Sequence, residues 1–255
     1  MILPSGEQFE LVAGPQRMVV VEVGGGIRAW EGVLLGYAED EMCSSGRGQV
    51  LAPWPNRLAG GRYPWEGEEL QLPVNEVASG SAIHGLVRWA SWRLVEREPS
   101  RVVLGHLLHP RPGYPFSLRL QVEYRLADGG LTVRTEAENV GRRAAPFGAG
   151  HHPYVLAPSG RVDDLLLDGE PVGTRKLDET RHRPGGWRVG VGAVTVWADG
   201  AWPWQQVFTG DLPDVGRRGL AIEPMTCPPQ ALRTGEGVIR LEPGERWSGE
   251  WGIEI

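Results

Sequence analysis

Between Ser117 and Ala137 the chain reads SLRLQVEYRL, then ADGG, then LTVRTEA. Leu118, Leu120, Val122, Tyr124 and Leu126 alternate with Ser117, Arg119, Gln121, Glu123 and Arg125. Successive side chains of a strand point to opposite faces, so this period of two predicts a half-buried β-strand. The two glycines that follow accept a turn without steric penalty, and the alternation resumes after them, so Ser117 to Ala137 predicts a hairpin. The tail ERWSGEWGIEI repeats the pattern, with Trp247, Trp251, Ile253 and Ile255 set against Arg246, Ser248, Glu250 and Glu254. Shorter strand candidates are MVVVEV, GVLLGY, RVVLGHLL, AVTVWA, QQVFTG and GLAIEP. Thirty-seven glycines and 21 prolines are spread through the chain. Both residues disfavour helix interiors, and no stretch carries a long amphipathic helix pattern. The expected class is all-β, an antiparallel sandwich or barrel, and without a linker or fixed repeat it is expected to form one domain over residues 1–255.

A net charge of −6, with no basic run, argues against binding nucleic acid or an anionic membrane. Two cysteines, Cys43 and Cys227, make no disulfide framework and favour a reducing compartment. The start MILPSGEQFE lacks the basic and apolar regions of a signal peptide, and no window approaches 18 uninterrupted apolar residues. A soluble cytoplasmic protein is expected. No metal-ligand spacing, GxSxG or phosphate-cradling glycine loop is present, so no metal and no cofactor are expected.

Four segments break the alternation and carry unusual polar residues. In PWPNRLAGGRYPWEG, Asn56 and Arg57 sit between proline–tryptophan pairs and a glycine pair. This reads as a surface loop with a solvated arginine, or as a rigid loop aiming a fork of donors into a pocket. In SAIHGLVRWASW, His84 is either a hydrogen-bonded structural residue or a group for proton and hydroxyl work. In GAGHHPYV, His151 and His152 are adjacent, so on a strand they face opposite ways and make a poor metal pair. In GLAIEPMTCPPQAL, Glu223 ends an apolar strand, as a structural anion or as a base at the rim of a sheet; Cys227 reads as a small buried thiol. The eleven tryptophans, Trp54, Trp89 and Trp204 among them, could fill a core or line a groove for a ligand with apolar faces.

NRLAGGRY, IHG, GHHPYV and IEPMTCPPQAL, in this order, together with QQVFTGD, resemble the aldose 1-epimerase (galactose mutarotase) family, in its bacterial aldose 1-epimerase-like branch. The resemblance runs from about Asn56 to the C-terminus. It implies a large antiparallel β-sandwich (a galactose mutarotase-like supersandwich with few short helices) and a monosaccharide substrate such as glucose or galactose. It implies an acid and a base on opposite sides of a sugar ring, with His152 matching the general acid and Glu223 the general base. His84 and Arg57 match residues that hold sugar oxygens, and Asn56 is a further candidate. Asp178, in KLDET, is the best match to the family's sugar-binding aspartate, and Trp204 is placed with the substrate-binding residues. His151 receives no role.

Anomers interconvert when the ring opens, which needs a proton taken from the C1 hydroxyl and one delivered to the ring oxygen. A protonated His152 and an ionised Glu223 are expected to do this. Two alternatives share the fold: a carbohydrate-binding protein without catalysis, and a hexose-6-phosphate 1-epimerase, for which Arg62, Arg88 and Arg175 are candidate extra cations. A glycosidase would need paired carboxylates, for which Glu223 and Asp178 are the available residues.

Overall fold

The computed structural model describes residues 2–255. The predicted hairpin forms: strands Leu118–Ala127 and Gly130–Asn139 pair with Ala127 opposite Gly130 and Leu126 opposite Leu131. Gly130 has φ +136°, and a Cβ there would meet the Ile253 carbonyl oxygen at 2.0 Å, so this position of ADGG demands glycine. The alternating apolar face of the first strand is buried to 2% exposure or less.

This hairpin is the middle of a nine-stranded antiparallel sheet. From edge to edge the strands are Glu170–Pro171, Leu166–Leu167, Trp187–Val191, Val194–Ala198, Arg246–Glu254, Gly130–Asn139, Leu118–Ala127, Arg101–Leu108 and Arg93–Glu98. A six-stranded sheet runs through Asp178–His182, Trp204–Phe208, Gly219–Met225, Gly150–His151 and Val50–Leu51, with Tyr154–Leu156 also paired to Gly219–Met225. One apolar cluster joins residues of both sheets, among them Leu120, Val122, Val133, Val207, Leu220 and Ile222. The architecture is an antiparallel β-sandwich. Among the described residues its helical content is one 3₁₀ turn, Val162–Asp164, and one α-turn, Ala231–Thr234. Among the described residues, no helix is long and apolar enough to cross a membrane.

Two strand expectations are corrected. GVLLGY is a turn: Leu34 makes only isolated bridges to Trp30 and Val155. Gly32 takes φ +73°, and Gly36 packs so closely that a Cβ would meet the Arg28 carbonyl oxygen at 2.4 Å. Ile255 lies beyond the last strand and is 42% exposed. On the buried face of that strand Gly249, not a bulky residue, stands between Trp247 and Trp251, against Trp202.

The hairpin supplies the centre of the core, so truncating it should be felt globally. Leu120→Ala is expected to lower stability by about 2–5 kcal/mol. Urea unfolding should show a lower midpoint with an unchanged slope.

Candidate active site

Antiparallel register gathers the first part of the site. On three neighbouring strands, Thr180 lies opposite Gln206, and Gln206 opposite Glu223. Gln206 donates to Asp178 Oδ1 at 2.5 Å and accepts from the Thr180 hydroxyl. Asp178, Gln206 and Glu223 line a cavity of about 370 Å³. The strand that carries Glu223, Gly219–Met225, is buried at all seven positions.

The loops supply the rest. Arg57 grips Glu76 through two parallel bonds, Nε to Oε2 at 2.6 Å and Nη2 to Oε1 at 2.8 Å. Asn56 and His84 hold each other: the His84 amide donates to the Asn56 carbonyl at 3.0 Å, and the Asn56 amide donates to His84 Nδ1 at 3.1 Å. A ring nitrogen that accepts a backbone N–H carries no proton, so His84 is the neutral tautomer with its hydrogen on Nε2. Both residues need positive φ, 54° for Asn56 and 61° for His84. Gly85, which completes IHG, must be glycine because a Cβ would meet the Ala52 carbonyl oxygen at 2.0 Å.

His151 and His152 separate as their adjacency predicts. His151 turns into the core, between Trp202 and Trp251, and shares a 2.8 Å hydrogen bond with Thr135 Oγ1. His152 turns into the cavity. Its ring stacks on Tyr154 at 4.8 Å and meets the edge of His84 at 5.3 Å. Gly46 packs against the ring, where a Cβ would sit 2.9 Å from Cδ2. His152 Nε2 lies 3.4 Å from Glu223 Oε1, and both side chains are almost wholly buried.

The expected acid and base are therefore direct neighbours at one corner of the cavity, and are not divided by a ring-sized gap. That suits the chemistry, because the C1 hydroxyl oxygen and the ring oxygen are bonded to one carbon. The resting protonation also differs from expectation. Burial lowers His152 to about 3, helped by the nearby Arg88 and Arg57 charges, so the imidazole is neutral at pH 7. Burial raises Glu223 well above the usual carboxylate range, as does the Asp178 charge, while Arg57 pulls it down. Both shifts favour the uncharged forms, a carboxyl beside an imidazole, over an ion pair.

Asn56, Arg57, His84, His152, Asp178 and Glu223 all line this cavity. Trp204 does not. It shares a strand face with Gln206 and Phe208, but two residues of strand carry it about 6–7 Å away, where it stacks on His182 at 4.3 Å. Trp54 is core and Trp89 is half exposed, so the aromatic lining is Tyr154 and Phe208. Of the candidate extra cations, Arg88 lines the cavity; Arg62 pairs with Glu69 at the surface, and Arg175 bonds the Val172 carbonyl. Cys227 is buried and its thiol is pushed up to about 12, an inert packing residue. Sequence reasoning gave no role to Glu76 or Gln206, which orient Arg57 and Asp178. Glu76 lies 19 residues from its partner with no periodic link between them.

The sequence profile described as "Aldose 1-epimerase" matches residues 14–164. The protein YihR of Escherichia coli, which is described as uncharacterized, is 34% identical over 94% of this chain and 91% of its own length. The chain belongs to the aldose 1-epimerase family. Human galactose mutarotase is 30% identical to this family member over 60% of the chain and 49% of its own length. In three dimensions the GalM/aldose epimerase homologue from C. elegans superposes with a TM-score of 0.82 at 14% identity, covering 97% of this chain and 98% of that one. The galactose 1-epimerase from Lactobacillus acidophilus gives 0.75 at 17% identity, over 93% of this chain and 90% of that one. At these identities the structural likeness shows the fold.

Titration of the site has a defined sign. His151 falls from an ordinary 6.5 to about 3 through burial. Its contribution to stability is therefore present above the unfolded value and lost as pH falls from about 6.5 towards 3. Glu223, raised in the fold, works the other way, its contribution being lost as pH rises through the raised value. Comparing variants isolates the histidine: His151→Gln should flatten the acid limb of a stability–pH curve by up to about 1.4 kcal/mol per pH unit, measured by urea midpoints.

Proposed function

We propose that this family member is an aldose 1-epimerase, an isomerase that interconverts the α and β anomers of a hexose through acid–base ring opening. The observation that carries the reading is the 3.4 Å approach of His152 Nε2 to Glu223 Oε1 inside a sugar-sized cavity. In the reaction Glu223 takes the proton of the C1 hydroxyl while His152 delivers one to the ring oxygen. The bond from C1 to the ring oxygen breaks, and C1 becomes an aldehyde. Rotation about C1–C2 presents its other face, the ring closes, and both protons return.

In the uncharged form that both shifts favour, the pair has one transferable proton, on the carboxyl. Moving it to the imidazole across the short contact gives the carboxylate and imidazolium that the first step uses, with no net uptake from solvent. A sugar's oxygens near the pair would favour that charged form by hydrogen-bonding to it. The Nε2–H of His84 and the free edge of Arg57 are donors for further sugar oxygens, and Asp178 is an acceptor at the rim. Tyr154 and Phe208 offer the apolar surface.

Polarimetry tests this reading directly. The protein added to freshly dissolved α-glucose or α-galactose should speed the decay of optical rotation. Glu223→Gln and His152→Asn should each slow the catalysed rate by about 10²- to 10⁴-fold, the usual contribution of one proton-transfer group, with unchanged circular dichroism. Catalysis that survives both changes rejects the assignment.

A further inference from the structure

Glu76 lines the cavity beside Arg57, and the chain holds it there at several points. Arg57 lies opposite Ile83 in the short ladder of Arg57–Ala59 with Ser81–Ile83. The loop that carries Glu76 is fastened to that same strand. The Glu76 amide donates to the Ser81 carbonyl at 3.0 Å, and the Ser81 amide donates back to the Glu76 carbonyl at 3.2 Å. Beside it the Asn75 side chain spans the backbone of Ile83. The Ile83 amide donates to Asn75 Oδ1 at 2.7 Å, and Asn75 Nδ2 donates to the Ile83 carbonyl at 3.1 Å. The Ser79 hydroxyl donates to Glu76 Oε2, the oxygen that also accepts Arg57 Nε. One strand thus sets the guanidinium and the carboxylate side by side, and a hydroxyl from the same loop fixes the carboxylate.

This arrangement does two things to Arg57. The fork with Glu76 uses Nε and Nη2, and among the described residues Nη1 donates to nothing. The side chain is therefore ordered before a sugar arrives, and ordering a long side chain at binding otherwise costs affinity. The fork also sets a negative charge 2.6 Å from the positive one.

That second effect reaches the acid–base pair. The charges of Glu76, Asp178 and Glu223 act on Arg57, and those of Arg57 and Arg88 act on Glu76. Arg88 and Arg57 act on both His84 and His152, and Asp178 and Arg57 act on Glu223. Asp211, also in the cavity wall, is paired with Arg217. Arg57 therefore touches both members of the pair electrostatically. Its charge unopposed favours the deprotonated form of each. That helps the carboxylate and hinders the imidazolium, while ring opening needs both.

We propose that Glu76 is a positioning residue of the reaction: it orders Arg57 for the sugar and offsets the charge that Arg57 imposes on the His152–Glu223 pair. This rests on the ring-opening reading above. The test follows anomerisation of glucose and of galactose at low salt across a range of pH. Glu76→Asp keeps the charge and shortens the reach. It should raise KM about 2- to 10-fold, the cost of ordering one long side chain, and leave the pH profile of kcat in place. Glu76→Gln keeps the length and removes the charge. It should raise KM by a similar factor and also move both limbs of the profile to lower pH, by about 0.3 unit or more, the effect of one unit charge roughly 10 Å away in water. Combined with Arg57→Met, Glu76→Gln should add neither effect. Both single variants should unfold in urea near the parental midpoint, because partly exposed pairs hold little stability.

A parental KM in both single variants overturns the inference. So does a raised KM with an unshifted profile in Glu76→Gln, which marks a merely structural residue. So does a shift that persists in the Arg57→Met background, which shows Glu76 acting without its partner. Each of these leaves ring opening standing. If the unaltered protein turns over neither sugar, ring opening fails and this inference falls with it.

Discussion

A carboxyl group on a wholly buried strand is the most expensive choice this fold makes, and the site is organised around it. An isolated buried carboxylate is strongly unfavourable, so the group takes up a proton or finds a partner. Here Glu223 has a neutral imidazole at one oxygen, and its other oxygen, Oε2, has no hydrogen-bond partner. Desolvation favours the neutral pair, and it also makes the pair responsive. Any ligand that hydrogen-bonds to the charged form shifts the shared proton, because little else in the cavity competes for it.

Backbone strain concentrates around the same corner. Among the described residues seven other than glycine have positive φ, and Ser45, Asn56 and His84 among them line the cavity. Each such conformation costs about 1–2 kcal/mol for an L-residue. The reciprocal bonds of Asn56 and His84, and the Ser45 hydroxyl bond to Asp214, offset that strain locally. The return is orientation: a loop that passes through the left-handed region presents its side chain inward where a regular strand would carry it past the opening.

The sheets were legible in the sequence because period-two alternation is a local signal that burial enforces. Leu118 to Leu126 shows this residue by residue. GVLLGY misled because three apolar residues in a row bear no period, and its two glycines mark a turn. The split of His151 from His152 was legible from adjacency alone. What adjacency does not contain is the register between distant strands, which sets Gln206 beside Glu223, or the 19-residue reach of Arg57 to Glu76. Trp204 shows the same limit: the strand face was readable, but the distance along it from the cavity was not. Protonation was the least legible feature, since the change of His152 from cation to neutral base arises from burial and from Arg88 and Arg57.

The neutral resting state bears on why aromatic stacking, and not a buried acid, orients the imidazole. A metal-binding or triad histidine is commonly fixed by a carboxylate on its second nitrogen. That partner would raise the basicity of His152 and stabilise its cation. His152 Nδ1 has no such partner on another residue, and the ring is held by Tyr154, Gly46 and the edge of His84. Packing fixes the plane without adding charge. The imidazole therefore remains a weak base whose conjugate acid gives up its proton readily, which favours delivery to a ring oxygen that is itself a poor proton acceptor. Arg88 and Arg57 strengthen this by disfavouring the imidazolium further.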